Sequence, residues 1–306
     1  MERNEIDALL AKIERTETEA GNARTKLIVN RLLRDLFYLI EDLDVQPDEI
    51  WTAANYLTEA GRANEFGLIA AGLGLEHFLD LRMDEAERRA GLVGGTPRTI
   101  EGPLYVAGAP ESVGFARLDD GTETGGEVLF MQGQVRADDG TPLAGARVEV
   151  WHADLRGNYS YFDQSQSAFN LRRSIVTDVD GRYQFRSFIP VGYSVPPGCA
   201  TERLLDQLGR AGSRPAHIHF FVSVPGYRKL TTQINIEGDP LLWEDFAFAT
   251  REELVPPITR VSDPRALAEH GLSQPYASID FDFTLHAEQQ GLPDDEVSRA
   301  RAAVAV

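Results

Sequence analysis

The sequence is poor in cysteine, in histidine and in positive charge. Its 306 residues include one cysteine, Cys199, and six histidines. A single thiol excludes an intramolecular disulfide and argues against a thiolate-built zinc site. Long apolar runs are missing as well, and none approaches the stretch of about 20 residues that a membrane helix needs. The opening MERNEIDALL lacks the apolar core of a secretory signal, so a soluble cytoplasmic protein without membrane association is expected. Thirty basic side chains face 48 acidic ones, for a net charge of −18. That excess argues against nucleic acid or an anionic bilayer as partner and leaves a neutral or metal-directed small ligand.

What is present divides by periodicity. From Glu5 to about Arg89 the apolar residues recur at helical spacing. Ile6, Leu9 and Ile13, with Leu10 beside them, form a narrow stripe; Leu32, Leu36, Leu39 and Leu43 form a second, broadened by Leu33, Phe37 and Ile40. Pro47 followed by Asp48 and Glu49 predicts the start of another helix, and EHFLDLRMDEAERRA a further one. Around GLVGGTPRTIEGP the texture changes, and from about Gly126 short alternating runs appear between turn signals. EVLFMQGQVRADDGTPLAGARVEVWHAD reads as strand, D-D-G turn and strand, with Val148 and Val150 facing opposite to Arg147 and Glu149; TDVDGRYQFRSF repeats the device at Asp180 and Gly181. ASIDFDFTLHAE predicts one more strand, with a short polar helix from Pro293. The expectation is an α+β chain: a helical cap or dimerisation region over 1–100, then a mainly antiparallel β-sandwich domain over 101–306.

RPAHIHFFV places His217 and His219 two apart on a run that reads as a strand, so both imidazoles leave the same face, about 6 to 7 Å apart. An H-x-H pair is often a pair of ordinary hydrogen-bonded histidines. Here the flanks are too apolar for a surface strand, and buried imidazoles need partners, which favours two ligands of one metal. Imidazole suits zinc, iron, copper and nickel alike. The remaining donors could be a carboxylate or tyrosine phenolates. Asp154, Asp163, Asp178 and Asp180 sit in turn-like contexts that account for them, whereas Tyr159 in GNYSYF and Tyr193 in PVGYSVPPG lie in loops that follow strands.

VEVWHADLRGNYSYFD, LRRSIVTDVDGRYQF, PVGYSVPPG and RPAHIHFFVSVPGYRKLTTQINIEGDP closely resemble the intradiol ring-cleavage dioxygenases, and GPLYVAGAP and EDFAFAT resemble that family's catechol-selective branch. The likeness covers nearly the whole chain. It implies one non-haem Fe(III) per subunit, held by Tyr159, Tyr193, His217 and His219, each matched within its own motif. Two hard anionic phenolates suit a tripositive ion. By the same resemblance Tyr193 is the axial phenolate that leaves as catechol chelates, Tyr159 and His217 are equatorial, His219 is axial, and O2 cleaves catechol to cis,cis-muconate in aromatic degradation through the beta-ketoadipate pathway. Arg214 matches the arginine that steadies negative charge on the substrate ring, with Gln233 as its partner.

Leu68, Ala71, Ile100, Pro103, Leu104, Phe246 and Ala247 resemble the family's substrate-pocket walls, beside Arg214; since Leu68 and Ala71 belong to the helical half, the pocket is expected between the two halves. The resemblance also implies a homodimer through the N-terminal helices and a phospholipid at its interface. Three other readings stay open at this point. Chlorocatechol or hydroxyquinol could be the substrate within the same family, the site could be an Fe(II) centre cleaving outside the diol, or AGARVEVW and TDVDGRYQF could belong to a non-catalytic transthyretin-like binding module.

Overall fold

The computed structural model describes residues 1–294, 299 and 301–303. The chain forms two compact units, Met1–Asn64 and Glu65–Val306. The first consists of α1 (Arg3–Glu14), α2 (Ala23–Asp42) and α3 (Pro47–Arg62). Asn22 caps α2 through its side chain; Gln46 and Glu49 close a capping box on α3, whose first residue is Pro47, as its sequence predicts. Ile6 and Leu10 of α1 are buried, and the Tyr38 hydroxyl of α2 donates to Asp7 at 2.6 Å. No residue of α2 itself is buried. Among the described residues no helix is long and apolar enough to cross a membrane.

The second unit begins with α4 (Phe66–Gly72) and α5 (Leu75–Arg89). Strands follow: β1 (Val106–Ala107), β2 (Glu111–Val113), β3 (Phe115–Arg117), β4 (Val128–Ala137), β5 (Arg147–His152), β6 (Arg172–Val176), β7 (Arg182–Phe188) and β8 (Tyr193–Ser194). After α6 (Ala200–Gln207) come β9 (Ser213–Arg214), β10 (His217–Ser223), β11 (Leu230–Asn235), β12 (Thr259–Val261), α7 (Pro264–Glu269), β13 (Tyr276–Asp280), β14 (Phe283–Leu285) and β15 (Ala302–Ala303). The helix expected from Pro293 falls largely on residues 295–298, outside the described residues.

Two sheets pack face to face. One has the order β11-β10-β5-β6-β2, the other β12-β13-β4-β7-β3, with β14 also on β4. Between them lies one apolar core that includes Val148, Val150, Ile175, Ile218, Phe220 and Val222 from the first sheet and Leu129, Met131, Phe185, Ile279 and Phe283 from the second. Burying such side chains supplies most of the stabilisation of a layered fold, at about 25 cal/mol per Å².

The α+β class holds, but the sheets are mixed rather than mainly antiparallel. β13 and β14 run parallel to β4, β2 to β6 and β3 to β7. The turns explain the difference. The D-D-G turn is real, with Gly140 N–H donating to Ala137 O at 3.0 Å, yet β4 and β5 belong to different sheets. The Asp178–Gly181 turn likewise separates β6 from β7, with Asp178 accepting the amides of Asp180 and Arg182. Both turns hand the chain from one sheet to the other instead of closing a hairpin, so edge positions are filled by strands distant in sequence.

One histidine ties the sheets together. His152 ends β5, its Nδ1 is 2.7 Å from Ala153 O and its Nε2 is 2.7 Å from Ser187 Oγ on β7. A carbonyl only accepts, so Nδ1 carries the proton and Nε2 accepts from the serine. Burial lowers the His152 pKa to about 4. Above the ordinary value near 6.5 both folded and unfolded forms are neutral. As pH falls towards 4 the unfolded chain takes up a proton that the folded one refuses, and stability drops. Replacing His152 with Gln is expected to remove about 2–3 kcal/mol of the stability lost between pH 7 and pH 4.5. Denaturant midpoints at the two pH values, measured for both proteins, check this; an equal fall in both contradicts it.

Candidate active site

The strand β10 alternates strictly. Ile218, Phe220 and Val222 enter the core between the sheets, so His217, His219 and Phe221 must leave the opposite face. Both histidines are nonetheless only 2% exposed, because loops cover that face. Their Nε2 atoms are 3.1 Å apart, closer than the Cβ spacing of a flat strand suggests, since the rings lean together with centroids at 4.7 Å. His217 Nδ1 lies 2.7 Å from Pro215 O, which fixes the proton on Nδ1 and leaves Nε2 a bare acceptor. His219 stacks on Trp151 at 5.0 Å with the planes 5° apart, and its Nδ1 has no hydrogen-bond partner among the described residues. Burial, reinforced by Arg214, pushes the His217 pKa down to about 3; burial and the neighbouring His217 push His219 well below its ordinary range. Both rings are therefore neutral, which is the ligating form.

The phenols arrive on two separate supports. Tyr159 sits on a loop organised by the buried Asp154, whose Oδ1 accepts the amides of Arg156 and Asn158. Its hydroxyl reaches His217 Nε2 at 3.4 Å. Tyr193 lies on the ribbon β8–β9, where it pairs directly with Arg214. Two glycines permit the approach. A Cβ at Gly157, which has φ +81°, would lie 2.9 Å from Tyr193 Cβ, and one at Gly192 would lie 2.6 Å from Arg214 O. The phenol rings meet edge to face at 5.5 Å, and Tyr193 is 5.5 Å from the His217 ring. Burial, with the nearby Tyr193, raises the Tyr159 pKa well above its usual value. A proton would leave that phenol readily only for a strong positive charge.

Arg214 is held with unusual rigidity for a long side chain. Its Nε and one terminal nitrogen grip the two Asp245 oxygens at 3.0 Å each, the same terminal nitrogen donates to Gln233 Oε1 at 2.8 Å, and the other nitrogen lies 3.0 Å from His217 Nε2. Burial opposes charge on both partners, but their mutual attraction outweighs it: Asp245 is held below the usual carboxylate range and Arg214 above its own.

Tyr159, Tyr193 and Arg214 border a cavity of about 410 Å³, whose lining does not include His217, His219 or Asp245. Leu68, Ala71, Ile100, Pro103, Leu104, Phe246 and Ala247 line it together with Tyr159, Tyr193 and Arg214. All of them belong to the second compact unit, because α4 packs with Leu205 and Phe246. Gln233 is fully buried behind Arg214 and does not reach the wall. Asp245 escaped the sequence reading although it lies within EDFAFAT; so did Trp151, Arg172 and the wall residues Phe162, Val195 and Pro196. A larger open groove, about 620 Å³, lies on the second sheet among Gln132, Gln134, Gln184 and Asp282 and shares no lining residue with this cavity.

Among the described residues no three His, Cys, Asp or Glu side chains cluster to hold a metal. A metal at the histidine pair would have to be completed by the phenols, and the donor set fits one: the His219 Nε2 and the Tyr159 hydroxyl lie 3.1 and 3.4 Å from His217 Nε2, all on buried residues. The apolar side chains Leu68, Ile100 and Phe246 on the cavity wall suit a small apolar ring.

Comparison with known proteins agrees with this arrangement. A family model described as "Dioxygenase" matches residues 100–287, and one described as "Catechol dioxygenase N terminus" matches residues 22–91. Catechol 1,2-dioxygenase 2 of Acinetobacter lwoffii is 69% identical over 266 residues, which are 87% of this chain and 96% of that protein. The crystal structure of wild-type Acinetobacter radioresistens catechol 1,2 dioxygenase superposes with a TM-score of 0.95 at 56% identity, covering 99% of each chain. By contrast, chlorocatechol 1,2-dioxygenase of Rhodococcus opacus is 33% identical over 86% of this chain and 98% of its own.

The grip of Asp245 on Arg214 can be tested without reference to activity. Asp245→Leu leaves a buried guanidinium unpaired and is expected to cost about 3–5 kcal/mol, whereas adding Arg214→Met to it recovers most of that loss. Denaturant unfolding of the two single variants and the double variant decides the matter, and additive losses contradict the pairing.

Proposed function

We propose, because the chain belongs to the intradiol catechol 1,2-dioxygenase family, that it cleaves the ring of catechol between its two hydroxylated carbons with O2, giving cis,cis-muconate in the degradation of aromatic compounds. It is an enzyme, a dioxygenase. The observation that carries the substrate is the gap in likeness: catechol dioxygenases at 48–69% identity stand against 31–33% for relatives named for hydroxyquinol, chlorohydroxyquinol or chlorocatechol. Discrimination by one or two wall groups is worth about 1–3 kcal/mol, so substituted catechols are expected to turn over as well.

Tyr159, Tyr193, His217 and His219 would hold one Fe(III) per subunit. Bound there, such an ion would supply Lewis-acid activation of a catechol held through both of its oxygens, making the ring susceptible to O2. The chain's own residues do the rest. Tyr193 is the more exposed phenol and lies on the cavity wall, which supports a role in which its phenolate oxygen would take up a catechol proton. Tyr159, 4% exposed and locked against His217, stays. Arg214 presents a fixed positive charge at the wall, where negative charge builds on the ring, and pays no reorganisation because Asp245 and Gln233 already hold it. Phe246, Ile100 and Leu68 exclude water from the ring face.

The α2 helix supports a homodimer. Leu32, Leu36, Leu39 and Leu43 recur on one side and stand 41–70% exposed, and Leu27 and Ile28 are exposed too. A second copy covering that stripe would bury it, with a phospholipid seated in the same interface. The single cysteine suits the reducing cytoplasm in which the enzyme would work.

Mixing the iron-loaded protein with catechol and O2 should produce muconate absorbance with one O2 consumed per catechol; extradiol products or no product would overturn the reading. Tyr193→Phe should largely abolish turnover. Arg214→Ala is expected to lower kcat on the order of 10²–10³-fold while the iron content stays unchanged; near-normal turnover in either variant would show the corresponding role to be wrong.

A further inference from the structure

Among the described residues four arginines are buried: Arg98, Arg172, Arg214 and Arg228. Three of them meet carboxylates. Arg98 pairs with Asp84 and Glu87, Arg228 with Glu87, and Arg214 with Asp245. Arg172, on β6 and 1% exposed, is the exception: among the described residues it forms no ion pair. Its Nε donates to Ser160 Oγ at 2.9 Å and one terminal nitrogen to Ser160 O at 3.0 Å, while the other terminal nitrogen is buried with no partner. A guanidinium is permanently charged, and an unpaired charge at this depth is costly. Such a group asks for an anion that the polypeptide alone does not supply.

A neighbouring phenol ring identifies where that anion arises. The guanidinium carbon stands 5.8 Å from the centroid of the Tyr159 ring. Ser160, the residue next to Tyr159, passes the restraint on, since its Oγ accepts from Arg172 and donates to Asn170 O at 2.6 Å. Arg172 therefore both anchors the backbone beside Tyr159 and sets a positive charge beside its ring. It lies outside the cavity wall and cannot touch substrate.

We propose that Arg172 is a positioning residue of the metal site: it fixes the Tyr159 ring through Ser160 and is the charge partner of the Tyr159 phenolate when iron is bound. The inference rests on the ferric-tyrosinate reading given above. A positive charge beside a phenolate lowers the energy of its electrons, so it tunes how strongly Tyr159 donates to the metal, and it makes iron binding and burial of Arg172 mutually supportive.

The test compares the wild-type chain with Arg172→Met, Arg172→Gln and Arg172→Lys, each with and without iron. Removing the charge with Met or Gln should move the visible phenolate-to-iron band to longer wavelength and weaken iron binding about 10–100-fold. Lys keeps the charge and should leave the band near its wild-type position. Iron-free Arg172→Met should melt no lower than the iron-free wild type, because an unpaired buried charge has gone, whereas its iron-loaded form should melt below the loaded wild type. Gln, which retains a donor for Ser160, serves if Met prevents folding. An unmoved band in the neutral variants, or an equal fall in melting temperature with and without iron, would reduce Arg172 to a structural tether and overturn the proposal. Failure of the ferric-tyrosinate reading has a different signature, a wild-type protein that takes up iron and stays colourless, and it removes this inference as well.

Discussion

Two neutral imidazoles aim ring nitrogens at each other across 3.1 Å inside the protein, and they do so because the other face of their strand is committed to the core. Ile218, Phe220 and Val222 cannot leave the space between the sheets without exposing apolar surface, and a shift of one residue would send the histidines into that space and the apolar residues out of it. The register of β10 between β5 and β11 therefore fixes the site as firmly as it fixes the core. Everything else at the centre is arranged around this pair. Trp151 backs one ring, Pro215 O orients the other, and the Tyr159 loop and the β8–β9 ribbon close over them. Burial then keeps both rings unprotonated, so the same packing that positions the donors also sets their chemical form.

Charge is handled with equal economy. Arg214 is buried, yet its carboxylate and amide partners leave it little freedom, and the cavity meets a preset positive edge. A buried ion pair contributes little net stability compared with well-packed apolar groups, so its retention here fits a requirement of the chemistry better than one of folding. Arg172 extends the same logic to the far side of Tyr159, where the compensating anion belongs to the loaded site and not to the chain alone.

How much of this could be read from residue order depends on distance along the chain. The same-face placement of His217 and His219 follows from a period of two, and the capped start of α3 from Pro47 and its acidic neighbours, because both are local. The parentage of the sheets was not legible: D-D-G and D-V-D-G look like hairpin turns whether the next strand pairs with the last or crosses to the opposite sheet. Tyr159 and Tyr193 stood out from the other tyrosines only through the motifs around them, since no spacing links a loop residue to a strand 58 positions away. Asp245 and Arg172 were missed for a related reason. Their partners are 31 and 12 residues distant, and a buried counter-charge has the same one-letter code as a solvated one.

The central claim is that two phenolates and two imidazoles of this chain form a single ferric site. Resonance Raman spectroscopy of the iron-loaded protein, excited in the visible, addresses it most directly. Tyrosinate ring vibrations should dominate the wild-type spectrum, and Tyr159→Phe and Tyr193→Phe should each remove a distinct part of them. An iron-loaded protein that converts catechol to muconate yet shows no tyrosinate vibrations, or whose spectrum neither substitution alters, would contradict the account.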